Sequence, residues 1–302
     1  MLKSVLKMIY GKVPAQLLRK SPLKTYMHHK AIPSGVDSFY VGATRVIIKA
    51  DQSPLVRKLY WLGLEGYEQD ELILFDHFCR NSNRVVEIGG NIGYFTIFGA
   101  RHASIKEYVV VEPLPYNFGL LTKNIELNGL ENVRALQAAV TGEIEPKQIR
   151  FFVPKDEKYE AATGGYIEGA EAINREFSKE IMVDTLPSFL LLENVDLLKI
   201  DAEGSEFEIL SGATTQIIKY TPIILVEMRR NTHKLREWVQ QLMQLNSYQA
   251  LVMSGRTRNI ERIEPSQIKS ISLQDTFDTR DLILCPTEKL NLIPVGRLKL
   301  DP

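Results

Sequence analysis

Short apolar runs alternate with amphipathic segments along most of the chain beyond residue 80. The apolar runs predict strands at residues 84–88, 108–111, 133–140, 195–200, 223–226, about 248–253 and 281–285. Several of these runs are apolar throughout, which is typical of strands in a parallel sheet that is covered on both faces. Strands that alternate with helices therefore predict a doubly wound α/β domain from about residue 80 to the end.

The segments between these strands carry helical spacing of apolar residues. They predict helices at residues 92–101, about 115–128, 205–217 and 232–242. Ser205 and Glu208 form a capping-box pattern at the start of the third helix. Thr232 stands where it can cap the fourth, whose apolar positions include Trp238.

Two regions flank or interrupt this pattern. Residues 1–79 predict an N-terminal extension that caps the domain or lies on its substrate side, with short helices in 1–30, extended runs in 36–49 and a helix at 70–79. Residues 154–180 are polar, hold three glycines and show no clear periodicity. A stretch of this length inside a compact domain is typical of a lid, a binding loop or disorder, and we interpret it as a lid-like insertion in the domain 80–302.

Composition places the chain among ordinary globular proteins, with 44% hydrophobic and 25% charged residues in 302. No apolar run reaches the roughly 18–20 residues that span a bilayer. Lysines interrupt the first residues before a signal-peptide core can form. We therefore expect a cytoplasmic protein without a transmembrane segment, in which Cys79 and Cys285 are reduced structural thiols.

Charge is unevenly distributed although the net charge is zero. Residues 1–36 hold seven basic residues and no acidic one, which leaves 30 basic against 37 acidic residues in the remainder. A mildly acidic body predicts no nucleic-acid partner, because nucleic-acid binders carry a basic face across the domain. The basic arm is interpreted either as a solvated helix or as a segment that touches phosphates or an anionic membrane.

A glycine-rich turn follows the first strand of the domain, in the segment EIGGNIG at residues 87–93. Such a turn between a strand and a helix lets a ligand approach the backbone closely. Glu112 ends the second strand, 19 residues beyond Gly93, where an acid can accept hydrogen bonds from ribose hydroxyls. Turn and acid together predict a cofactor that contains adenosine.

The details of the turn favour S-adenosylmethionine over a dinucleotide. Asn91 occupies the position at which the dinucleotide fingerprint has its middle glycine, against which the pyrophosphate lies. Glu87 precedes the turn and can interact with the amino group of a zwitterionic tail. Helix N–H groups can meet the carboxylate of the same tail.

These residues resemble the FkbM family of S-adenosylmethionine-dependent methyltransferases. The matching segments are VEIGGNIGYFT at 86–96, VEP at 111–113, NF at 117–118, LLTKNIELNGL at 120–130, AAV at 138–140, DLLKIDAEGSE at 196–206, LSGA at 210–213 and PIILVE at 222–227. A weaker match lies at residues 66–68. Glu87 and Gly90 stand where the family usually has Asp and Ala, which keeps the charge and the small size.

The resemblance implies a class I methyltransferase with a Rossmann-like, seven-stranded, mostly parallel sheet and helices on both faces. It implies methyl transfer to a hydroxyl oxygen of a sugar, glycan or secondary metabolite. The cofactor contacts that it and the turn predict are Glu68, Glu87, Gly89, Gly90, Asn91, Gly93, Tyr94, Glu112, Pro113, Ala139 and Asp201.

Acidic residues at the ends of two central strands are the candidates for the chemistry. Asp201 and Glu203 follow one strand and Glu227 ends the next, so all three lie at the edge where such sheets bind ligands. Asp201 or Glu203 can deprotonate or orient the acceptor hydroxyl. The alternative is that Glu203 and Lys199 form structural ion pairs while Asp201 only contacts the cofactor.

A metal and a histidine are further alternatives. The carboxylates of Asp201, Glu203 and Glu227 could together hold Mg²⁺ through oxygen ligands. His233 is a candidate base close to the Glu227 strand, although the start of a helix is also an ordinary surface position. Trp61 and Tyr67 are candidates for the wall of an acceptor pocket, whereas Trp238 has the spacing of a core residue.

Two other function classes compete with an O-methyltransferase on a small-molecule or glycan acceptor. One is a nicotinamide-dependent oxidoreductase on a doubly wound fold, against which Asn91 and the segment 201–206 argue. The other is a binding module that kept the fold without catalysis, against which the intact turn and Glu112 argue.

Overall fold

The computed structural model describes residues 32, 34–41, 46–154, 166–167 and 178–294. The helices predicted within residues 1–30 and the three glycines of the lid-like insertion lie outside the described residues, as does nearly all of the basic arm. No helix in the described part of the chain is both long and apolar enough to cross a membrane.

A central eight-stranded sheet organises the molecule. Its strands are β3 (Arg84–Ile88), β4 (Glu107–Val111), β5 (Val133–Leu136), β10 (Leu197–Ile200), β11 (Ile223–Glu227), β12 (Tyr248–Met253), β13 (Ile260–Ile263) and β14 (Asp281–Pro286), in the spatial order β13-β12-β14-β11-β10-β3-β4-β5. The four pairings from β5 to β11 are parallel and the three from β11 to β13 are antiparallel. The mostly parallel sheet is confirmed, and β13 extends it by one strand beyond the seven expected.

Helices cover both faces of this sheet. They are α1 (Pro54–Leu62), α2 (Gln69–Cys79), α3 (Tyr94–Gly99), α4 (Pro115–Leu127), α5 (Ser188–Leu191), α6 (Glu206–Gly212), α7 (Thr214–Tyr220), α8 (His233–Leu245) and α9 (Leu273–Phe277). Alternate residues of each strand point to opposite faces. Val86 and Leu198 pack with α5 to α9, whereas Val85 and Leu197 pack with α1 to α4.

Two predicted helix caps are wrong. The hydroxyl of Ser205 has no hydrogen-bond partner among the described residues. The carboxylate of Glu206 lies closer to the turn and accepts the N–H groups of Ala202 and Gly204, both at 3.1 Å. Thr232 stands at the start of α8 but donates its hydroxyl to the carbonyl of Arg229 at 2.9 Å, so it does not cap the helix.

A second sheet contains residues that the apolar pattern assigned otherwise. The run 133–140 divides into β5 and β6 (Ala139–Thr141), because the chain turns away from the edge of the central sheet after Leu136. Strand β6 instead pairs with β9 (Ser178–Pro187), and β9 pairs with β7 (Gln148–Pro154), which pairs with the short β8 (Tyr166–Ile167). The predicted lid therefore begins and ends in strands of this sheet.

The described part of residues 32–79 packs into the same core as the central sheet. Its hairpin consists of β1 (Ser38–Val41) and β2 (Val46–Lys49), and the backbone N–H of Lys49 donates to Asn124 of α4 at 2.7 Å. Buried Phe75 of α2 contacts the rings of Phe95 and Tyr108 edge to face. These contacts pack the hairpin against α4, and α2 against α3 and strand β4.

Asp76 fastens α2 to the segment that follows α3. Its fully buried carboxylate accepts hydrogen bonds from Arg80 at 2.6 Å and from Arg101 and His102 at 2.8 Å. Burial alone would raise the pKa of Asp76, but hydrogen bonds from His102, Arg101 and Arg80 outweigh it and hold that pKa well below its usual range. His102 is thus a partner of a buried acid.

The substitution Asp76→Asn should lower the free energy of unfolding by about 2 kcal/mol at pH 7, since hydrogen bonds to charged groups contribute about 1.5–3 kcal/mol. A depressed pKa gives stability that is present above the unfolded pKa of about 3.9 and is lost as the pH falls through the folded value. The difference from wild type should therefore shrink below about pH 4 in urea titrations. Glu126→Gln, which breaks an exposed pair with Lys123, is the control and should change stability by less than about 0.5 kcal/mol.

Candidate active site

The glycine turn after β3 lies against the end of β10. Gly89 has a φ of +89°, and a Cβ at this position would lie 1.9 Å from the carbonyl oxygen of Asp201. The N–H groups of Gly89 and Gly90 donate to the carbonyl of Val111 at 2.9 and 3.0 Å. Only glycine allows this approach, so Gly89 closes the gap between strands β3, β4 and β10 at their carboxyl ends. The sequence predicted a turn that a ligand can approach closely, and the structure adds a close approach of the protein's own backbone at Asp201.

The remainder of the turn also depends on left-handed backbone. Asn91 has a φ of 49° and Gly93, which precedes α3, has a φ of 85°. A Cβ at Gly90 would meet the side chain of Val110 at 2.2 Å, and one at Gly93 would meet that of Leu121 at 2.7 Å. The turn is therefore held by packing from beneath, which leaves its outer side for a ligand.

Glu112 at the end of β4 holds this turn in place. Its carboxylate accepts the N–H groups of Asn91 at 2.8 Å and Leu114 at 3.0 Å, and its side chain is buried. Burial raises the pKa of Glu112 to about 7, against the effect of these hydrogen bonds. The acid predicted to bind ribose thus also orients the backbone of the predicted cofactor loop.

Glu87 lies on β3 directly beneath the turn. Its carboxylate accepts the hydroxyls of Thr96 at 2.6 Å and Tyr108 at 2.5 Å. Burial raises the pKa of Glu87 to about 7. Because one oxygen takes both hydroxyls, the other is available to a group in the cleft, whose wall includes Glu87.

A cleft of about 230 Å³ follows the turn, and a second cavity of about 480 Å³ opens beside it. The cleft is lined by the predicted residues Glu68, Glu87, Gly89, Gly90, Asn91, Tyr94, Lys199, Asp201 and Glu203. The two cavities share Tyr67, Glu68, Asp201, Glu227 and Arg280. Asp201 therefore stands where they meet.

Other predicted residues lie outside the walls of both cavities. Gly93, Glu112 and Pro113 sit behind the turn, and Ala139 packs with Leu114 in the apolar cluster of the second sheet. His233 is exposed at the start of α8.

The three aromatic candidates for the acceptor pocket lie in different parts of the molecule. Tyr67 lines both cavities, and its carbonyl accepts the hydroxyl of Tyr94 at 3.1 Å. Trp61 is absent from both linings and contacts the ring of Tyr60. Trp238 is 8% exposed and belongs to the core, as its spacing predicted.

Lys199 is buried between the turn and helix α2. Its ammonium lies 3.1 Å from the carboxylate of Glu71 and 4.2 Å from the ring centre of Phe95. Burial disfavours the charged form, but Glu71, Asp201 and Glu68 outweigh burial and raise the pKa of Lys199. Lys199 thus stays protonated and holds negative side chains at the cleft.

Arg229 bridges two of the acids at the strand ends. Its guanidinium pairs with Glu203 and, at 2.7 Å, with Glu227. Burial raises the pKa of Glu203 to about 7, and Arg229 counteracts this effect. Glu203 and Lys199 are therefore both members of ion pairs, whereas Asp201 has no cationic partner within salt-bridge distance in the described part of the chain.

The donor set does not form a metal site among the described residues. No group of three or more histidine, cysteine or acidic side chains there has the arrangement of a cation site. Arg229 occupies the space between Glu203 and Glu227 that a shared cation would need. The residues present thus do not fit the Mg²⁺ site that the three carboxylates suggested.

Several residues of the site were not predicted. Glu71, Arg229, Arg280 and Asp281 all line one or both cavities. Arg229 stands two residues after Glu227, so its position beyond a strand end is a usable signal. Glu71 lies on a helix far away in the chain, and its contact with Lys199 has no signature in the sequence.

The sheet order, the glycine turn and the acid at the end of β4 together define a class I methyltransferase fold. The family model for the "Methyltransferase FkbM domain" matches residues 87–250, which is more than half of the chain. The chain belongs to this family, whose members are S-adenosylmethionine-dependent methyltransferases.

Individual proteins that match this chain share less than a third of its residues over the aligned region. "Methyltransferase sdnD" of Sordaria araneosa is 28% identical over 170 residues, covering 47% of this chain and 65% of the relative. "Methyltransferase 1" of Beauveria bassiana is 28% identical over 158 residues, covering 48% and 64%. The solved structure of an FkbM methyltransferase from Methylobacillus flagellatus KT is 14% identical with a TM-score of 0.42, covering 89% of this chain and 60% of that one. The chain spans less than two thirds of the length of each.

Proposed function

We propose that this protein transfers the methyl group of S-adenosylmethionine to a hydroxyl oxygen of a small-molecule or glycan acceptor. The observation that carries the proposal is the position of Asp201, whose side chain lines both the cleft beside the glycine turn and the adjoining cavity. A base at this junction is within reach of a hydroxyl in one cavity and a methyl donor in the other. We further propose a cytoplasmic location and no nucleic-acid partner.

The residues around the turn fit the cofactor. Gly90 and Asn91 line the cleft, and Glu112 lies directly behind them. Lone pairs of Glu112 beyond its bonds to Asn91, Leu114 and Asn117 are the proposed acceptors for ribose hydroxyls. The free oxygen of Glu87 suits the amino group of the methionine tail. When bound, the cofactor supplies its sulfonium methyl group and leaves as S-adenosylhomocysteine.

The acceptor side depends on positioning and on one proton transfer. A hydroxyl placed in line with the methyl–sulfur bond forms a new oxygen–carbon bond while the carbon–sulfur electron pair returns to sulfur. The hydroxyl proton passes to the carboxylate of Asp201. Glu203 and Lys199 act as positioning residues, because Arg229 and Glu71 already hold them.

Binding measurements test the assignment of the class. Calorimetry on the purified chain should show stoichiometric binding of S-adenosylhomocysteine and none of NAD. Release of S-adenosylhomocysteine that depends on an added acceptor would exclude a binding module without catalysis. Binding of NAD alone would overturn the proposal in favour of an oxidoreductase.

The substitution Glu112→Gln should weaken the binding of S-adenosylhomocysteine about tenfold or more. It removes a charged hydrogen-bond acceptor, and hydrogen bonds to charged groups contribute about 1.5–3 kcal/mol each. Glutamine can still accept one backbone N–H, so the turn should stay folded. Glu107→Gln, at the opposite end of the same strand, is the matched control and should bind normally. Unchanged affinity in Glu112→Gln would contradict the ribose assignment.

A further inference from the structure

The second cavity carries an unusual charge for an acceptor site. Its wall holds eight carboxylate side chains and one cationic side chain, that of Arg280. The acids come from two segments, residues 65–71 and 278–281, and from the ends of β10 and β11. Most of them lie away from the cleft beside the glycine turn, so the sulfonium charge of the cofactor does not account for them.

Three of these eight acids form ion pairs with described residues. Asp70 pairs with Arg258 at 3.1 Å, Glu71 pairs with Lys199, and Glu227 pairs with Arg229 and Arg280. Among the described residues, no cation lies within salt-bridge distance of the remaining five. These five are Glu65, Glu68, Asp201, Asp278 and Asp281.

The carboxylates influence one another strongly. Desolvation of its carboxylate by the cavity wall and the negative charge of Glu71 raise the pKa of Glu68, and Lys199 counteracts them. Burial and Glu71 also raise the pKa of Asp281. Lys199 offsets part of this effect at both groups, and a bound cation would offset more of it by favouring their ionised forms.

We propose that this cavity binds an acceptor that carries a positive charge, a hydroxyl compound with an ammonium group. The cationic group lies among the acids of residues 65–71 and 278–281, and the hydroxyl points toward Asp201. The inference rests on the proposed function, since it assigns the acceptor class of the same site. Attraction between the ammonium group and several carboxylates would select this acceptor over neutral and anionic hydroxyl compounds.

A pair of isosteric probes tests the charge alone. Choline and 3,3-dimethyl-1-butanol share their shape and hydroxyl group, but only choline carries a permanent positive charge. With the full chain saturated with S-adenosylhomocysteine at low ionic strength, choline should bind about tenfold more tightly than the neutral alcohol. Added salt should lower the affinity for choline and leave the affinity for the neutral alcohol unchanged.

A double variant locates the effect in the cavity. Glu65→Gln combined with Asp278→Asn removes two exposed charges, and asparagine tolerates the left-handed φ of 57° at position 278. The variant should bind choline about threefold or more weakly than wild type, while its affinity for S-adenosylhomocysteine stays within about twofold of the wild-type value. Glu131→Gln, an exposed acid in the turn before β5, is the control and should bind choline like wild type.

The outcomes separate the two proposals. Failure of the wild-type protein to bind S-adenosylhomocysteine would overturn the proposed function. Normal binding of S-adenosylhomocysteine with equal affinity for the two probes, or with no detectable choline binding, would overturn the cationic acceptor and leave methyl transfer intact. Equal weakening by the double variant and by Glu131→Gln would also overturn it, because the charge effect would then not belong to the cavity.

Discussion

Replacing Gly89 by valine should unfold the domain or lower its free energy of unfolding by about 4 kcal/mol or more. A Cβ at this position would overlap the carbonyl oxygen of Asp201 at 1.9 Å, and the φ of +89° disfavours a β-branched side chain independently of that contact. Gly89 and Asp201 each follow directly after a central strand, so neither side of the contact can move without disturbing the sheet. Denaturation in urea, followed by circular dichroism, measures the loss.

Two further glycine variants make this prediction specific. Gly89→Ala should still be strongly destabilised, because its Cβ meets the same oxygen. Gly119→Ala, on helix α4 with no atom within 4 Å of the new Cβ, should instead stabilise the protein by about 0.5–1 kcal/mol. A wild-type unfolding midpoint in Gly89→Ala would contradict the close approach of β3 and β10.

The central sheet was predictable because its strands are locally encoded. Runs such as Tyr108–Val111 and Ile223–Val226 are apolar on both faces, and their burial in β4 and β11 confirms the prediction. The glycine turn was predictable for a related reason, since the left-handed and close-packed backbone at Gly89 and Gly93 leaves glycine as the only suitable residue.

The second sheet and α1 were not predicted, for two different reasons. Strand β6 continues the apolar run of β5 without a turn residue, and its departure depends on pairing with β9 about 45 residues later. Helix α1, whose N-terminal Pro54 follows the capping residue Ser53, carried a usable local signal that the periodicity of longer helices obscured.

Some residues of the candidate site could likewise be predicted from the sequence, and others could not. Position at a strand end identified Asp201, Glu203 and Glu227, because strand ends can be located from sequence. The partners that distinguish them come from elsewhere, since Arg229 holds Glu203 and Glu71 holds Lys199 across 128 residues of chain. The role of a residue that depends on such a distant partner cannot be predicted from the sequence alone.

The variant Asp201→Asn should therefore reduce kcat by about 10²–10⁴, the usual contribution of a positioned base, while the affinity for S-adenosylhomocysteine remains close to wild type. Asparagine keeps the size and some hydrogen bonding but cannot take the hydroxyl proton. Stopped assays of methyl transfer across pH, together with calorimetry, separate kcat from binding.

Glu203→Gln is the matched comparison at the next strand-end acid. If Glu203 only positions Arg229, its substitution should cost less in kcat than Asp201→Asn, and Glu227→Gln should resemble it. A larger loss in Glu203→Gln would transfer the base role to Glu203. Full turnover in both variants would assign these carboxylates a structural role and make His233 the next base to test. A third outcome would point to a metal ion. If a chelator reversibly abolished wild-type activity and Glu227→Gln were also inactive, catalysis would require a bound cation, which the position of Arg229 in this arrangement excludes.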